Sequence, residues 1–360
     1  DESYVYYSKG ETSGLLTRVI AGFKEEGLEE LTTGIQVTSQ ANVNPKIDVE
    51  IKDELKDQQY SFYLPVWLTV NGETKRRFSY DFDIRPQINF NDFELSDEVI
   101  QNITDSLSEE NRELKSFTVT LSEEGKTEFE ERELKRKRLN FISKNYMSRR
   151  FNETVDNPFM SRKLSNDFSN KLIDKVGEET LALHFSFITS HLSKLLSKHR
   201  TELEEQIFEK MLSEERIELA VSDSESIGFK IPTRDKITVT DLPNTYTDNL
   251  YTNVEVSSMN SLERSVATIL EDQDKLLWWF RNRVGKGWYS IQGWRKNKIK
   301  PDFVAAKKKD DDEVEVIYIL ESKGEHLLGN DDTNYKRKVL DKMTELKNKD
   351  QIKVYQTEMS

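Results

Sequence analysis

The chain has 360 residues, 35% of them hydrophobic and 33% charged, with no cysteine and a formal net charge of -13. That length suits two or three domains. The missing cysteine excludes disulfides and thiolate metal sites, and the acidity argues against a protein that coats nucleic acid. No apolar run reaches the length that crosses a bilayer, so no membrane partner is expected and a cytoplasmic location is the default. No signal peptide opens the chain, which begins on Asp1; the expectation is a piece of a longer polypeptide, or numbering after trimming. From Tyr251 onward Lys and Arg number 20 against 19 Asp and Glu, so the acidity belongs to the earlier stretch and a DNA substrate stays open.

Residues 1–90 read as β-rich. Tyr60–Val70 has strand composition, Asn71-Gly72 is a hairpin turn, and Lys75–Phe82 is its return strand. Leu15, Leu16, Val19, Ile20 and Phe23 predict a helical piece over Gly14–Glu30. No Gly-x-x-x-x-Gly-Lys-Ser/Thr occurs, which excludes a phosphate-binding P-loop.

Residues 91–250 read as a mainly helical linker or docking region, with Leu, Ile and Phe at helical intervals over Thr180–Leu212. The basic cluster Lys135–Arg138 continues to Lys144, Arg149 and Arg150, with Phe141 and Tyr146 between. It is either a helix that touches nucleic acid or a solvated face balanced by the acids from Glu128 to Glu133. His184, His191 and His199 offer no i,i+4 pair and read as ordinary helix residues. Pro232–Thr252 reads as a connector.

Residues 251–360 have a definite order. A helix runs from Asn260 or Ser261 to about Glu271, followed by an apolar-aromatic segment, Lys275–Val284. Next come a strand Trp288–Trp294, a basic turn Arg295–Lys300, and strands Phe303–Ala306 and Val314–Leu320 around a charged hairpin. A helix Thr333–Lys347 and a short strand Gln351–Gln356 close the chain. The succession α-β-β-β-α-β predicts an α/β domain, a mixed sheet flanked by helices.

Within it, Lys300–Gly324 stands out. If Phe303–Ala306 and Val314–Leu320 pair as a hairpin, Asp302 comes close to Glu321. Strand alternation points Glu321 and Lys323 one way and Ser322 the other. Two carboxylates and an ammonium at one strand end can bind a hard divalent cation and aim a water at a phosphate. Glu-x-Lys alone carries no signal, since Glu50-Ile51-Lys52 and Glu345-Leu346-Lys347 repeat it. Only Glu321-Ser322-Lys323 ends a buried-type strand whose neighbour opens with Pro-Asp. Glu263 is a third acid or, at capping-box spacing from Asn260, a helix cap.

Glu263, Pro301-Asp302 and Glu321-Ser322-Lys323, in that order, resemble the PD-(D/E)xK nuclease superfamily. The resemblance is closer to the C-terminal endonuclease region of the type III restriction enzyme Res subunit. It is carried by Ser261-Leu-Glu-Arg264, Leu277-Trp-Trp-Phe-Arg-Asn282, Lys300-Pro-Asp-Phe303, Leu320-Glu-Ser-Lys-Gly-Glu-His-Leu327 and Gly329–Lys336. It implies a Mg2+-dependent endonuclease, Mn2+ able to substitute, that hydrolyses phosphodiester bonds of double-stranded DNA. Asp302, Glu321 and the Ser322 carbonyl would hold the metal, Glu263 would help directly or through water, and Lys323 would orient the attacking water. Lys296, Lys298, Lys300 and Lys336 would contact phosphates, supported by Arg281 and Asn282. ATP would enter only through a helicase motor, separate or removed, and a modification (methyltransferase) subunit would complete the restriction complex. The alternative is a non-catalytic nuclease-like module that binds DNA or serves assembly.

Overall fold

The computed structural model describes residues 46–107, 142–238, 246–285, 287–309, 314–322 and 330–356. The expectations for Gly14–Glu30, Lys135–Arg138 and Lys323 lie outside them. Among the described residues no helix is long and apolar enough to cross a membrane.

The first part is a set of short strands: β1 (Lys46–Glu50), β2 (Tyr63–Leu64), β3 (Val66–Asn71) and β4 (Thr74–Arg77). β3 and β4 form the hairpin expected at Asn71-Gly72, with Asn71 opposite Thr74 and Gly72 at φ 60°, a conformation glycine adopts without steric cost. The strand expected from Tyr60 begins only at Tyr63, after a 3-10 stretch Asp53–Phe62, and breaks at Pro65, which has no N–H for a ladder. The return strand stops at Arg77 rather than Phe82. Asp83 folds the chain back there by accepting two bonds from Arg76 (2.6 and 2.8 Å) and one from the Ser79 N–H (2.8 Å).

Helices follow: α1 (97–107), α2 (Lys144–Val155), α3 (Pro158–Val176), α4 (Glu178–Leu183) and α5 (Phe185–Ser213). The caps are local. Asn157 accepts from the Phe159 and Met160 N–H groups, Pro158 supplies a first helical residue that needs no donor, and Gly177 at φ 85° ends α3. These helices bury Phe90, Phe151, Phe168 and Leu192 in a core of their own.

The chain then adds β5 (Ile217–Ser222), β6 (Phe229–Lys230) and β7 (Arg234–Thr238). The last part comprises α6 (Ser261–Glu271), β8 (Leu276–Arg281), β9 (Phe303–Lys308), β10 (Val314–Leu320), α7 (Asp331–Asn348) and β11 (Lys353–Tyr355). The fold is therefore mixed α/β, and the succession α-β-β-β-α-β is present. Its details differ from expectation at two points. The first strand is Leu276–Arg281, whereas Trp288–Trp294 makes only the single bridge Ile291–Ile299, two reciprocal bonds of 2.8 Å. That segment leaves Gly287 at φ 91° and buries Tyr289, Ile291 and Trp294 in the main core. The expected single sheet is also divided. β8, β9 and β10 form an antiparallel sheet in the order β10-β9-β8, while β11 pairs in parallel with β5 in a second sheet, β11-β5-β3-β4.

Backbone bonding continues past β8. The Trp279 N–H donates to the Asp248 carbonyl (3.0 Å), and Leu250 N–H donates to Trp279 (2.7 Å). Lys52 N–H to Leu250 (3.1 Å) and Thr252 N–H to Glu50 (2.9 Å) then reach β1, which pairs with β7. Residues from all three stretches pack into one core, which the C-terminal half of α5 joins. Phe208 of α5 meets Trp67 (5.1 Å between ring centroids), Phe78 (5.5 Å) and Trp294 (5.3 Å). Phe208→Ala is expected to cost about 3–5 kcal/mol and to lower the melting of the whole sheet region in one transition. Circular dichroism and tryptophan fluorescence recorded together check this; two separated transitions would show independent cores.

Candidate active site

The candidate site grows out of β9. Phe303, Val304, Ala305 and Ala306 are all fully buried, so this central strand is covered on both faces. Phe303 and Ala305 pack with Met259, Ala267, Leu270 and Trp279 under α6. Val304 and Ala306 face the main core with Trp278, Phe280 and the Tyr335, Val339 and Met343 stripe of α7. Side-chain alternation carries Asp302 onto the α7 side with Val304.

The β9–β10 register runs Leu320 opposite Phe303 and Ile319 opposite Val304, and Asp302 N–H donates to the Leu320 carbonyl at 2.9 Å. The two strands pair as the expected hairpin, with Asp302 just before its last paired residue on β9 and Glu321 just after its last on β10. Ser322 departs from the expected alternation. Regular pairing stops at Leu320, and Ser322 wraps around Asp302, donating its N–H (2.7 Å) and its hydroxyl (2.6 Å) to Asp302 Oδ2. The side-chain carboxylate takes over as acceptor where the ladder runs out. Both bonds fall on one oxygen; Oδ1 takes neither.

The other side of Asp302 is fixed by Asn282, which is 5% exposed. Its amide donates to the Tyr289 (2.9 Å) and Pro301 (2.8 Å) carbonyls, its oxygen accepts from Tyr289 N–H (3.0 Å), and its own N–H donates to the Asp302 carbonyl (2.8 Å). Sequence reasoning took Asn282 for a DNA contact, but its side chain is spent on holding the Pro301-Asp302 backbone.

Glu321 is met from α7. The Lys336 ammonium lies 3.0 Å from Glu321 Oε1 and 3.3 Å from Asp332, with side-chain exposures of 21% for Lys336 and 9% for Glu321. Burial works against the Lys336 charge, yet the Glu321 and Asp332 carboxylates outweigh it and hold its pKa above the usual lysine value. α7 is seated by Tyr335, which packs edge-on against Trp294 at 5.0 Å and accepts from Arg295 N–H at 3.3 Å. Burial pushes the Tyr335 phenol up to about 12. Gly293 makes the approach possible, since a Cβ there would lie 2.5 Å from the Tyr335 hydroxyl.

Glu263 stands on the other layer. It closes a capping box with Asn260 at the start of α6, and its carboxylate pairs with Arg281 at 3.1 Å. Arg281 also donates to Ser258 Oγ at 3.0 Å, so this guanidinium serves the α6–β8 packing. Lys296, Lys298 and Lys300 are exposed on the turn before Asp302. The next helix lysine, Lys338, pairs with Glu205 of α5 at 2.5 Å.

Among the described residues no three His, Cys, Asp or Glu side chains group as a metal set. The donors present still suit one class of ion. Mg2+ is commonly held through one or two carboxylates, with waters and substrate phosphate oxygens completing the shell, and Asp302 with Glu321 supplies that number of hard oxygen ligands. The chain matches no protein-family model, no curated protein and no solved structure.

The Ser322 side-chain bond to Asp302 and the Lys336 pair with Glu321 were not read from the sequence, because each joins residues well separated along the chain. Asn282→Ala removes three side-chain bonds at a buried position and is expected to cost about 1–3 kcal/mol. A urea midpoint equal to that of the parent would refute its clamping role.

Proposed function

We propose that this chain carries a Mg2+-dependent endodeoxyribonuclease module, the cleavage part of a type III-like restriction complex. The observation that supports it is the placement of Asp302 just before β9 and of Glu321 just after β10, at the same end of the antiparallel pair, with Asp302 pinned by Ser322 and Asn282. The fold resemblance read from the sequence adds the reaction, and the exposed Lys296, Lys298 and Lys300 add a cationic approach for a phosphate backbone.

In this reading Asp302, Glu321 and the Ser322 carbonyl would hold Mg2+. When bound, the ion polarises the scissile phosphate and lowers the pKa of a water. Asp302 keeps its orientation because Ser322 occupies one of its oxygens. Lys323 orients the attacking water and offsets charge as the phosphorus passes through the in-line transition state. No protein nucleophile is required. Glu263 acts through α6 and Arg281 rather than on the phosphate.

A second reading, a nuclease-like module without catalysis that binds DNA or serves assembly, draws on Glu263 being committed to Arg281 and Asn260. Plasmid nicking separates the two. Mg2+ is expected to support nicking of supercoiled DNA by the full chain with its motor and modification subunits and ATP, and EDTA to stop it. Asp302→Ala or Lys323→Ala is expected to lower the rate by roughly a hundredfold or more. Parental cutting by either variant would sink the assignment, and no nicking under any of these conditions would favour the second reading.

A further inference from the structure

Lys336 is held in an arrangement that a surface phosphate contact does not need. Its ammonium sits between two carboxylates, Glu321 at 3.0 Å just beyond β10 and Asp332 at 3.3 Å one turn back on α7. Glu321 is the more buried of the two, with 9% of its side chain exposed against 62% for Asp332. The neighbouring α7 lysines face elsewhere: Lys338 pairs with Glu205 and Lys342 with Glu209, both on α5. α7 itself is fixed by Tyr335, Val339 and Met343 in the main core, so Lys336 can change partner by side-chain rotation without moving the helix.

A partly desolvated carboxylate at a strand end requires a compensating cation. Lys336 provides one in the protein alone. A divalent ion held by Asp302 and Glu321 would bring a like charge to within a few ångströms of that ammonium, and like charges at such range repel. Asp332 then offers Lys336 an alternative partner on its own helix.

We infer that Lys336 is the internal counter-cation of the Asp302–Glu321 site, occupying Glu321 until a divalent ion displaces it toward Asp332, and so setting the metal affinity of the site. This rests on the reading of Asp302 and Glu321 as metal-holding carboxylates. It makes Lys336 a positioning residue, whose removal strengthens metal binding. A purely structural ion pair would do the opposite or nothing.

Mn2+ binding to the full chain, followed by the electron paramagnetic resonance signal of the free aquo ion, provides a readout independent of cleavage. Lys336→Met is expected to bind Mn2+ about tenfold more tightly than the parent, and Lys336→Arg to restore the parental affinity. Asp302→Asn is expected to remove the binding in either background. Far-UV circular dichroism verifies folding of each variant, and Lys336→Gln replaces Lys336→Met should the latter not fold. Unchanged or weaker binding by the Lys336 variant, with Asp302→Asn still abolishing it, overturns the counter-cation and leaves the site standing. Binding that Asp302→Asn does not alter, or no binding by any protein, overturns the reading of the site and the inference with it.

Discussion

The burial of β9 on both faces is the constraint around which the last part of the chain is arranged. A strand of Phe303, Val304, Ala305 and Ala306 leaves apolar surface on each side, and each side needs a cover. α6 covers one with Met259, Ala267 and Leu270; α7 and the aromatic block of Trp278, Phe280 and Trp294 cover the other. Alternation then decides the chemistry. The residue before Phe303 shares the face of Val304, so Asp302 lies on the α7 side, where Glu321 pairs with Lys336, while Glu263 is carried by α6 and pairs with Arg281.

What holds the carboxylates also limits them. Bonds to a charged group contribute about 1.5–3 kcal/mol each, and Asp302 receives two from Ser322 on one oxygen. That fixes the side-chain torsion and reserves the other oxygen. The Lys336–Glu321 pair is different in kind. A part-buried ion pair gives little net stability, because desolvation offsets the attraction. Its place beside Asp302 is therefore better understood through the potential it sets at the strand end than through folding.

Much of this was legible locally. Asn71-Gly72 specified its hairpin, Asn260 and Glu263 their capping box, and the run Val314–Leu320 its pairing with a strand opening on Pro-Asp, since each signal lies within a few residues. The capping box also offered a choice, cap or catalytic acid, that only the layer of α6 decides. Other features were not legible. Leu276–Arg281 and Trp288–Trp294 both carry large apolar side chains, and which one enters the sheet depends on neighbours at Asp248 and Phe303. A three-residue strand such as β11 has no pattern of its own to name its partner. Asn282 reads as polar beside an apolar block, and nothing in its local sequence says that Tyr289 and Pro301 will consume its amide. Lys336 looked like one basic residue among several at a helix start.

The same non-local contacts settle how the parts depend on one another. α7 reaches Glu321 from one side and α5 from the other, through Lys338–Glu205 (2.5 Å) and Lys342–Glu209 (3.2 Å). Trp294 lies between Phe208 of α5 and Tyr335 of α7, the residue beside Lys336. β11, at the end of α7, is anchored on β5, which belongs to the sheet begun by β3. The position of Lys336 is thus set by residues from both ends of the described chain. A helix rigidly seated in this way transmits small displacements rather than absorbing them, because a close-packed core has little slack. The helical and β-rich parts are therefore in contact with the helix that carries Lys336.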